Sequence, residues 1–442
     1  MNKSPKPFKI ILIAVFVVLL LFGFLGFSGK LDGLLPGDKK DINYGEVVLW
    51  GSIPTTIMQP LIANGLRDER AVSIKYVEHR PEDFTQDFIE ALAIGKGPDL
   101  VLLPQDELVK NFNKLALIPY STILERDFKN IFIEEGEMFL RPDGIVALPF
   151  MVDPLVMYWN RDIFTNALIA SPPKYWSEFY DLVPKITVRE QSGSISKSLV
   201  SFGEYRNVTN AKEVLSMLLM QAGSPIVSNK NGSLAGALLV SAPSDIENPV
   251  VTAMRFYTEF SKPNKDSYSW NRSLPSSHAM FEAGDLAVYF GYASEYRDIA
   301  QKNPHLNFDV AMVPQVGKTS SKLTFGRIYG VSTVASSKNS AGALYASMLL
   351  SNANTISGVS SIKGLPPVRR DLIAVPPADA ILSVFYDSAL ISRAWYDPSP
   401  VETNSIFMNM IESVNSGRSS MNQALSVAQG NFDRLFQEYR QE

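Results

Sequence analysis

The feature that most constrains this 442-residue chain is an apolar run near its start. Ile10 to Phe27 contains no charged or polar side chain, and Ser28 and Gly29 extend it to the ~20 residues that a bilayer-spanning helix needs. Three lysines precede the run, so the positive-inside rule places the N-terminus in the cytoplasm and the rest of the chain outside. The sequence therefore predicts a cytoplasmic tail over 1–9, a transmembrane anchor over 10–29 and an exported body.

A cleaved signal peptide has a similar layout, but its apolar region is usually shorter, ~7–15 residues, and ends in a small-x-small cleavage site. The best candidates here, Gly26-Phe27-Ser28 and Ser28-Gly29-Lys30, match such a site poorly. We therefore expect a retained single-pass anchor in a bacterial cell membrane. Residues 30–44 are rich in glycine and charge, which is typical of a tether, and the extracellular domain is expected over 45–442.

Composition excludes several kinds of site. The chain has no cysteine, which excludes disulfides, thiolate metal sites and cysteine nucleophiles, and its three histidines show no metal-ligand spacing. We expect no metal and no cofactor. The formal charge is −4, and beyond residue 30 the chain has 37 basic against 45 acidic residues, which disfavours nucleic acid as a partner.

Strands and helices alternate in the first part of the exported body. Apolar or alternating runs over 47–50, 72–77 and 100–103 predict strands, and helical patterns over 55–67 and 82–94 lie between them. This order predicts βαβ units and a parallel sheet, whose ligand sites lie beyond the carboxyl ends of the strands. The alternative is that the loops at those ends are ordinary connections. The side chains expected at the two strand ends are Trp50, Gly51, Ser52, Thr55, Gln105 and Asp106.

The middle of the chain is more helical and predicts a second lobe. Asn210 to Glu213 resembles a capping box that opens a helix over 211–221. Later strands over 286–290 and 308–313 suggest that the chain returns to the first sheet, so we expect lobes that are discontinuous in sequence. Ser420 to Gln423 is a second capping box, before a helix with an apolar stripe that we expect to be core. That stripe consists of Met421, Ala424, Leu425, Ala428, Phe432 and Leu435.

Several stretches between Gly45 and Phe436 follow an order known from one protein family. Ala147 to Asp162, ALPFMVDPLVMYWNRD, looks like its first interlobe crossing, and Pro172 to Phe179 is similar to its Pro-Pro-Lys-Thr-Trp-Glu-Glu segment. Met280 to Gly291 looks like the segment leading into the second crossing. Matches to the third crossing and the closing segments follow at Gly326 to Ser336, Ala394 to Tyr396, Ser416 to Arg418 and Gln423 to Gln429. The chain thus resembles the extracellular solute-binding proteins of ABC importers, family 1, the group typified by maltose-binding protein.

The resemblance implies an α/β, two-lobed periplasmic-binding-protein-like fold of type II, with hinge strands that let the lobes close over a solute. Lobe one is expected over about 45–151 and 291–326, and lobe two over about 152–290 and 327–442. The family is not enzymatic. The implied protein is a monomeric, membrane-anchored receptor that binds a sugar or sugar-like solute and delivers it to the transmembrane subunits of an ABC permease.

Sugar sites combine aromatic rings that stack on the sugar with polar groups that bind its hydroxyls. Trp395 falls where the family places a stacking aromatic, with Tyr396 beside it, and Asp153 falls where the family often places an acidic contact. Tyr292 follows the second crossing, but Ala293 stands where the type member of the family has a tryptophan, which makes maltose itself a poor candidate. The alternatives are a buried aromatic pair and, for Asp153, a local cap.

The second lobe adds polar candidates. Glu204, Tyr205 and Asn207 precede a helix whose N-terminal amides would suit a polar or anionic group. Arg327 and Tyr329 lie at the third crossing. An arginine there would bind a carboxylate or phosphate, which leaves anionic solutes open, or it would pair with an acid of the other lobe.

Two other functional classes remain open from the residues alone. Paired acids such as Asp153 and Glu204 would suffice for an extracellular glycoside hydrolase. A non-transport sensor or surface binding module on the same fold would pass its ligand state to a membrane partner. The short predicted cytoplasmic tail argues against direct signalling by this chain.

Overall fold

The computed structural model describes residues 43–67, 69–230, 233–239 and 248–441. The predicted anchor and most of the predicted tether lie outside this range. Within it, every helix is too short or too polar to cross a bilayer.

The strands, numbered along the chain, are β1 (Gly45–Gly51), β2 (Val72–Glu78), β3 (Leu100–Pro104), β4 (Leu140–Arg141), β5 (Gly144–Ile145), β6 (Leu148–Asn160), β7 (Val188–Arg189), β8 (Ile195–Val200), β9 (Ile226–Lys230), β10 (Ser233–Ala237), β11 (Leu286–Tyr292), β12 (Phe308–Ala311), β13 (Thr324–Thr333) and β14 (Ser392–Arg393). The helices are α1 (Thr55–Gly65), α2 (Pro81–Ala93), α3 (Glu125–Ile131), α4 (Arg161–Asn166), α5 (Glu178–Ile186), α6 (Ala211–Gln221), α7 (Pro249–Glu259), α8 (Ser277–Glu282), α9 (Tyr296–Lys302), α10 (Ser340–Leu350), α11 (Ala353–Lys363), α12 (Arg370–Ile373), α13 (Ala380–Leu390), α14 (Pro400–Asn415) and α15 (Met421–Gln441).

The first lobe is built on the predicted βαβ units. Strand β1 pairs in parallel with β2 on one side and β3 on the other, and α1 and α2 make the connections. Leu100 to Leu103 are all buried, as a strand covered on both faces requires. The parallel sheet and the order of its elements are therefore confirmed.

Two long strands join the lobes. Strand β6 pairs with β13 through residues 148–154 and then, through residues 155–160, with β11 and β12. Strand β13 also pairs with β3, so a ten-stranded sheet runs in the order β2-β1-β3-β13-β6-β11-β8-β7, with β12 and β14 paired at its side. The first lobe thus contains β1 to β3, and the second contains β7, β8, β11 and β12. The change of partners in β6 occurs at the predicted first crossing.

The predicted return of the chain to the first sheet is confirmed only in part: β11 and β12 belong to the same ten-stranded sheet as β1 to β3 but do not pair with those strands. Strands β11 and β12 pair with the second half of β6, and it is β13 that returns to β3. The strand pattern alone could not distinguish the two halves of β6 as partners. The limits of the lobes stay a prediction, but β12 pairs within the second lobe although it falls in 291–326, and α10 packs on β1 and β2 although it falls in 327–442.

The two predicted capping boxes have different outcomes. Asn210 is in the left-handed region at φ 57° and makes no cap for α6; its Nδ2 donates instead to Glu295 Oε1 at 3.0 Å. That prediction was wrong, because the left-handed backbone directs the side chain toward β11. Ser420 and Gln423 form the reciprocal box before α15, with the Ser420 N–H donating to Gln423 Oε1 at 2.9 Å. The stripe along α15 is buried as expected, apart from the half-buried Met421.

Candidate functional site

A small cavity lies where the first lobe meets the second beside strand β13. We call it the interlobe cavity; it is nearly filled, with about 10 Å³ of free space, roughly enough for one water molecule. The first lobe contributes the turn after β3, and the second contributes the start of α6, the end of β11 and the segment after β14. Its lining residues are Gln105, Asp106, Lys212, Glu213, Tyr292, Phe325, Trp395 and Asp397.

Asp106 is the charged group that the first lobe brings to this cavity. It lies in the short 3-10 turn that directly follows β3, and Gln105 Oε1 fixes that turn to the hinge by accepting from the Ile328 N–H at 2.8 Å. Asp106 Oδ1 is shielded from solvent and has no hydrogen-bond partner in the described part of the protein. A buried polar atom without a partner is costly, so this oxygen is poised to accept a bond from a solute.

Lys212 and Asp397 form a buried ion pair at the cavity wall, with 2.8 Å between Nζ and Oδ2. Thr403 Oγ1 and the Ser399 N–H also donate to Asp397. Burial raises the pKa of Asp397 to about 6, although Lys212 opposes the shift. Burial tends to lower the pKa of the Lys212 ammonium, but the neighbouring carboxylates, chiefly Asp397, raise it overall. The pair is therefore held charged by mutual contact.

Arg327 lies at the edge of the cavity and covers the ring of Tyr292. Its guanidinium carbon is 4.4 Å from the ring centroid, and its nearest carboxylate oxygen belongs to Glu213, at 3.9 Å. Tyr292 is 4% exposed, its hydroxyl has no partner among the described residues, and burial raises its pKa well above the usual value. Burial raises the pKa of Tyr329, and the positive charge of Arg327 opposes the shift.

Trp395 lines the cavity, but Tyr396 does not. The Trp395 Nε1–H donates to Ser216 Oγ at 3.1 Å, and Lys212 Nζ lies 5.8 Å from its ring. Tyr396 instead donates its hydroxyl to the Met138 carbonyl at 2.5 Å. The predicted aromatic pair is therefore divided between the cavity and a structural contact.

Asp153 lies in the hinge, outside the cavity lining. It is opposite Arg327 in the β6–β13 pairing, and its Oδ1 accepts from the Ser294 N–H at 3.0 Å. Burial raises the pKa of Asp153 to about 6, while the bonds from Ser294 and the charge of Arg327 oppose the shift. Its role in ligand binding stays a prediction.

The polar candidates before α6 are engaged in the second lobe. Glu204 pairs with Arg272 at 3.1 Å, and the Tyr205 hydroxyl donates to Asn404 at 2.7 Å. Asn207 donates to the Asn271 carbonyl at 2.9 Å. None of these three residues lines the interlobe cavity. The hydrolase alternative requires two acids across one cavity, and neither Asp153 nor Glu204 lines it.

The loop after β1 also lies apart from the cavity. The Trp50 ring packs on His79, with 4.0 Å between ring centroids, and the Thr55 N–H donates to Glu78 at 2.6 Å. Gly51 is buried, since a Cβ there would meet Tyr76 and Leu102 at 3.0–3.3 Å, and Ser52 is half-buried. The binding role predicted for this loop remains untested.

Four lining residues were not indicated by the sequence: Lys212, Glu213, Phe325 and Asp397. Lys212 had a detectable signal. It stands in the first turn of α6, where the helix dipole disfavours a cation, so a buried lysine there requires an acidic partner. The position of that partner could not be read from the sequence.

One cluster outside the cavity has metal-ligand chemistry. In the described ranges, His278, Glu282 and Asp298 bring ligand-type atoms within 4.8 Å of one another. Lys302 Nζ lies 3.3 Å from Glu282 and 3.0 Å from Asp298, so an ammonium already neutralises these carboxylates. We assign no metal to it.

Comparison with known proteins gives a consistent result. A family model described as bacterial extracellular solute-binding protein matches residues 56–356, more than half of the chain. A protein of Brucella abortus (strain 2308), named only as a binding protein, is 23% identical over 252 residues, which are 56% of this chain and 57% of that relative. The chain thus spans little more than half the length of this relative.

Solved structures share the fold over nearly the whole described chain. A cyclo/maltodextrin-binding protein complexed with maltotetraose has a TM-score of 0.69 at 16% identity, covering 92% of this chain and 99% of that one. The cyclic α-maltosyl-1,6-maltose binding protein from Arthrobacter globiformis has a TM-score of 0.72 at 15% identity, covering 89% and 99%. At these identities the likeness establishes the two-lobed α/β fold.

Proposed function

Because this chain belongs to the family of bacterial extracellular solute-binding proteins, we propose that it is a receptor for a sugar or sugar-like solute, which it binds between its lobes and delivers to an ABC import permease. The family and the structural relatives are binding proteins, so the protein is not an enzyme, as its sequence predicts. Relatives with the same fold are named for maltodextrins or were solved with oligosaccharides bound, which supports a carbohydrate.

The observation that carries this proposal is the chemistry of the interlobe cavity. Trp395 and Tyr292 present aromatic rings, and the Tyr292 hydroxyl and Asp106 Oδ1 are buried atoms that lack partners in the described chain. Sugars offer apolar ring faces and hydroxyl groups that both donate and accept, so they match such a wall. A purely apolar solute would satisfy neither orphan atom.

The origin of the lining residues gives the mechanism of capture. Asp106 comes from the first lobe, whereas Lys212 and Trp395 come from the second. A solute contacts both sets only when the lobes are closed, so binding energy shifts the population toward the closed form. The free volume of about 10 Å³ is far below the roughly 300–1,000 Å³ usual for ligand pockets, so solute entry requires the lobes to separate about β6 and β13.

We further propose that the receptor is a monomer tethered by a transmembrane helix over residues 10–29. The apolar run and the preceding lysines support a cytoplasmic N-terminus and an extracellular binding domain. A tether would keep the closed, solute-bearing domain near the permease. Carbonate extraction and protease accessibility on intact cells test this arrangement, and release of the protein by carbonate would contradict it.

The binding proposal is tested with the full-length protein in detergent. Thermal shift and calorimetry are run against neutral mono- and oligosaccharides, polyols, amino acids and short peptides. We expect a saccharide to bind, and Tyr292→Phe, which removes only the unpartnered hydroxyl, to weaken binding by about 10-fold. Tyr345→Phe is the matched control, because its hydroxyl donates to Glu69 and neither residue lines the interlobe cavity. Binding confined to amino acids or peptides would overturn the sugar assignment.

Transport is tested separately once a solute is known. Cells that lack the gene should lose uptake of that solute at low concentration, and the intact gene should restore it. Unchanged uptake in the deletion strain, despite tight binding by the protein, would overturn delivery to a permease.

A further inference from the structure

The lining of the interlobe cavity has more acids than bases. Three carboxylates, those of Asp106, Glu213 and Asp397, face one ammonium, that of Lys212. Arg327 at the edge adds a second positive charge but leaves an excess of acid. A cavity with this balance attracts cations and disfavours anions.

Both positive groups are already engaged. Lys212 is 2.8 Å from Asp397, and that pair is almost completely buried. Arg327 is spread over the Tyr292 ring at 4.4 Å and faces Glu213. A solute carboxylate or phosphate would have to displace one of these contacts and would also approach Asp106. The anionic solutes that Arg327 alone leaves open are therefore disfavoured by its surroundings.

The carboxylate without an ion pair in the described chain is Asp106, although its charge acts on Arg327 and Lys212. Its Oδ1 is a buried acceptor without a donor in that part of the protein. An acceptor-only carboxylate oxygen is satisfied most strongly by a charged N–H donor, because charge-assisted hydrogen bonds are roughly twice as strong as neutral ones.

A second unpartnered group limits the rest of the solute. Tyr292 is 4% exposed, lines the same cavity and has a hydroxyl without a partner there. A tyrosine hydroxyl both donates and accepts, as a sugar hydroxyl does. The solute must therefore combine a cationic donor for Asp106 with a hydroxyl for Tyr292.

We infer that the solute is an amino sugar or amino polyol, whose protonated amine binds Asp106 and whose hydroxyls bind Tyr292. This inference rests on the proposed function and narrows its substrate class. The aromatic side chains would contact the ring, and Arg327 is a positioning residue that holds the Tyr292 ring in place.

The test uses sugars that differ only in charge. Calorimetry is run at pH 6.5 on the full-length protein in detergent. The first series compares glucosamine, glucose and glucuronate, and the next two compare the amino, neutral and uronate forms of galactose and of mannose. The last series compares the β-1,4 disaccharides of glucosamine and glucose. We expect at least one amino form to bind about 10-fold tighter than its neutral counterpart, and the uronates to be undetectable.

The variant Asp106→Asn keeps the shape and removes the charge. It should bring the amino sugar down to the affinity of the neutral sugar and leave the neutral sugar within about twofold. Asp266→Asn, at an exposed acid of the second lobe, is the matched control for net charge and should change neither affinity.

The outcomes separate this inference from the proposed function. Neutral sugars that bind as tightly as the amino forms would overturn the amino-sugar inference and leave a sugar receptor. Preferential binding of a uronate would overturn it as well. If no sugar of any charge binds, both the inference and the sugar receptor are overturned.

Discussion

The loops that follow β1 and β3 lie at the same edge of one parallel sheet but have different surroundings. After β1, Trp50 packs on His79 and the Thr55 amide bonds Glu78. After β3, Gln105 is bonded to the hinge while Asp106 projects an unpartnered oxygen into the interlobe cavity. Both loops meet the rule that ligand sites lie at carboxyl ends of strands. The comparison teaches that satisfied polar groups serve the fold, and that orphan groups at a cavity are the candidates for binding.

Breaking a satisfied group should have the largest effect. Asp397→Asn leaves the Lys212 ammonium buried without its closest counter-charge, which we expect to cost about 3 kcal/mol in the free energy of unfolding. Chemical denaturation measures this loss. The double variant Lys212→Met with Asp397→Leu should recover most of it, because no charge is then left unpaired.

The pair between Arg206 and Glu412 is the matched control for this experiment. Its atoms are 2.6 Å apart, but the arginine side chain is 68% exposed, so Glu412→Gln should have a much smaller effect. Equal losses of unfolding free energy for Glu412→Gln and Asp397→Asn would show that burial does not determine how much each ion pair contributes to stability.

Glu135 sharpens the comparison, because it has an orphan oxygen but no cavity. Its Oε2 accepts from Ser392, its Oε1 has no partner in the described chain, and the carboxyl is packed against Gly326 of β13. Burial raises the pKa of Glu135 to about 7; Arg393 opposes the shift and Asp153 adds to it. An orphan group alone thus does not mark a binding site, and here it should instead affect stability.

The sign of the pH effect follows from this raised pKa. Between pH 4.5 and about pH 7, Glu135 stays protonated in the folded protein but is ionised in the unfolded chain. Its contribution to stability is therefore full below the unfolded value and declines as pH rises, by about 3 kcal/mol. Asp153 and Asp397, whose pKa values are raised to about 6, give declines of the same sign at lower pH. Glu135→Gln should therefore reduce the decline, chiefly near pH 7, and raise the unfolding midpoint at pH 8.

Glu69→Gln is the control for the Glu135 experiment. The backbone bond from Ala71 and the Tyr345 hydroxyl lower the pKa of Glu69, so its contribution is lost as pH falls through the lowered value. It should leave the slope between pH 5 and 7 unchanged. A wild-type slope in Glu135→Gln would refute the assignment of the pH effect to Glu135.

Much of the fold could be predicted from sequence, because its signals are local. Apolar runs and helical periods gave the elements of the first lobe and the α15 stripe nearly to the residue. The partners of β11 and β12 could not be predicted, because both halves of β6 are equally apolar in sequence and neither half is marked as the pairing partner. The capping box predicted at Asn210 was wrong for a related reason, because the side chain bonds to Glu295, which is 85 positions away in the sequence.

The candidate site was predictable where one residue at a strand end or crossing sufficed. Asp106 and Tyr292 were predicted in this way and Trp395 from the family resemblance, and all three line the cavity. Lys212 and Asp397 were missed because their contact joins positions 185 apart, and no local pattern pairs them. Tyr396 adjoins Trp395 in sequence, yet its hydroxyl is bonded to Met138.

The orphan group in the cavity should affect binding more than stability. Asp106→Ala removes a half-buried carboxylate whose Oδ1 has no hydrogen-bond partner in the described chain, so we expect the free energy of unfolding to change by no more than about 1 kcal/mol. Affinity for the best saccharide should fall about 10-fold, as calorimetry would measure. Large destabilisation with unchanged affinity would place Asp106 with the structural residues.

The smallest effect is expected at the loop after β1. Glu78→Gln weakens the bond from the Thr55 amide but touches nothing in the interlobe cavity, so saccharide affinity should stay within about twofold of wild type. That bond lowers the pKa of Glu78, so its contribution to stability is present above the unfolded value and lost as pH falls. A small drop in the unfolding midpoint at pH 7, vanishing near pH 3, is the expected signature. A tenfold loss of affinity would instead show that the loops after β1 and β3 both bind the solute. In that case, a loop whose polar groups are all hydrogen-bonded could not be assigned to the fold alone.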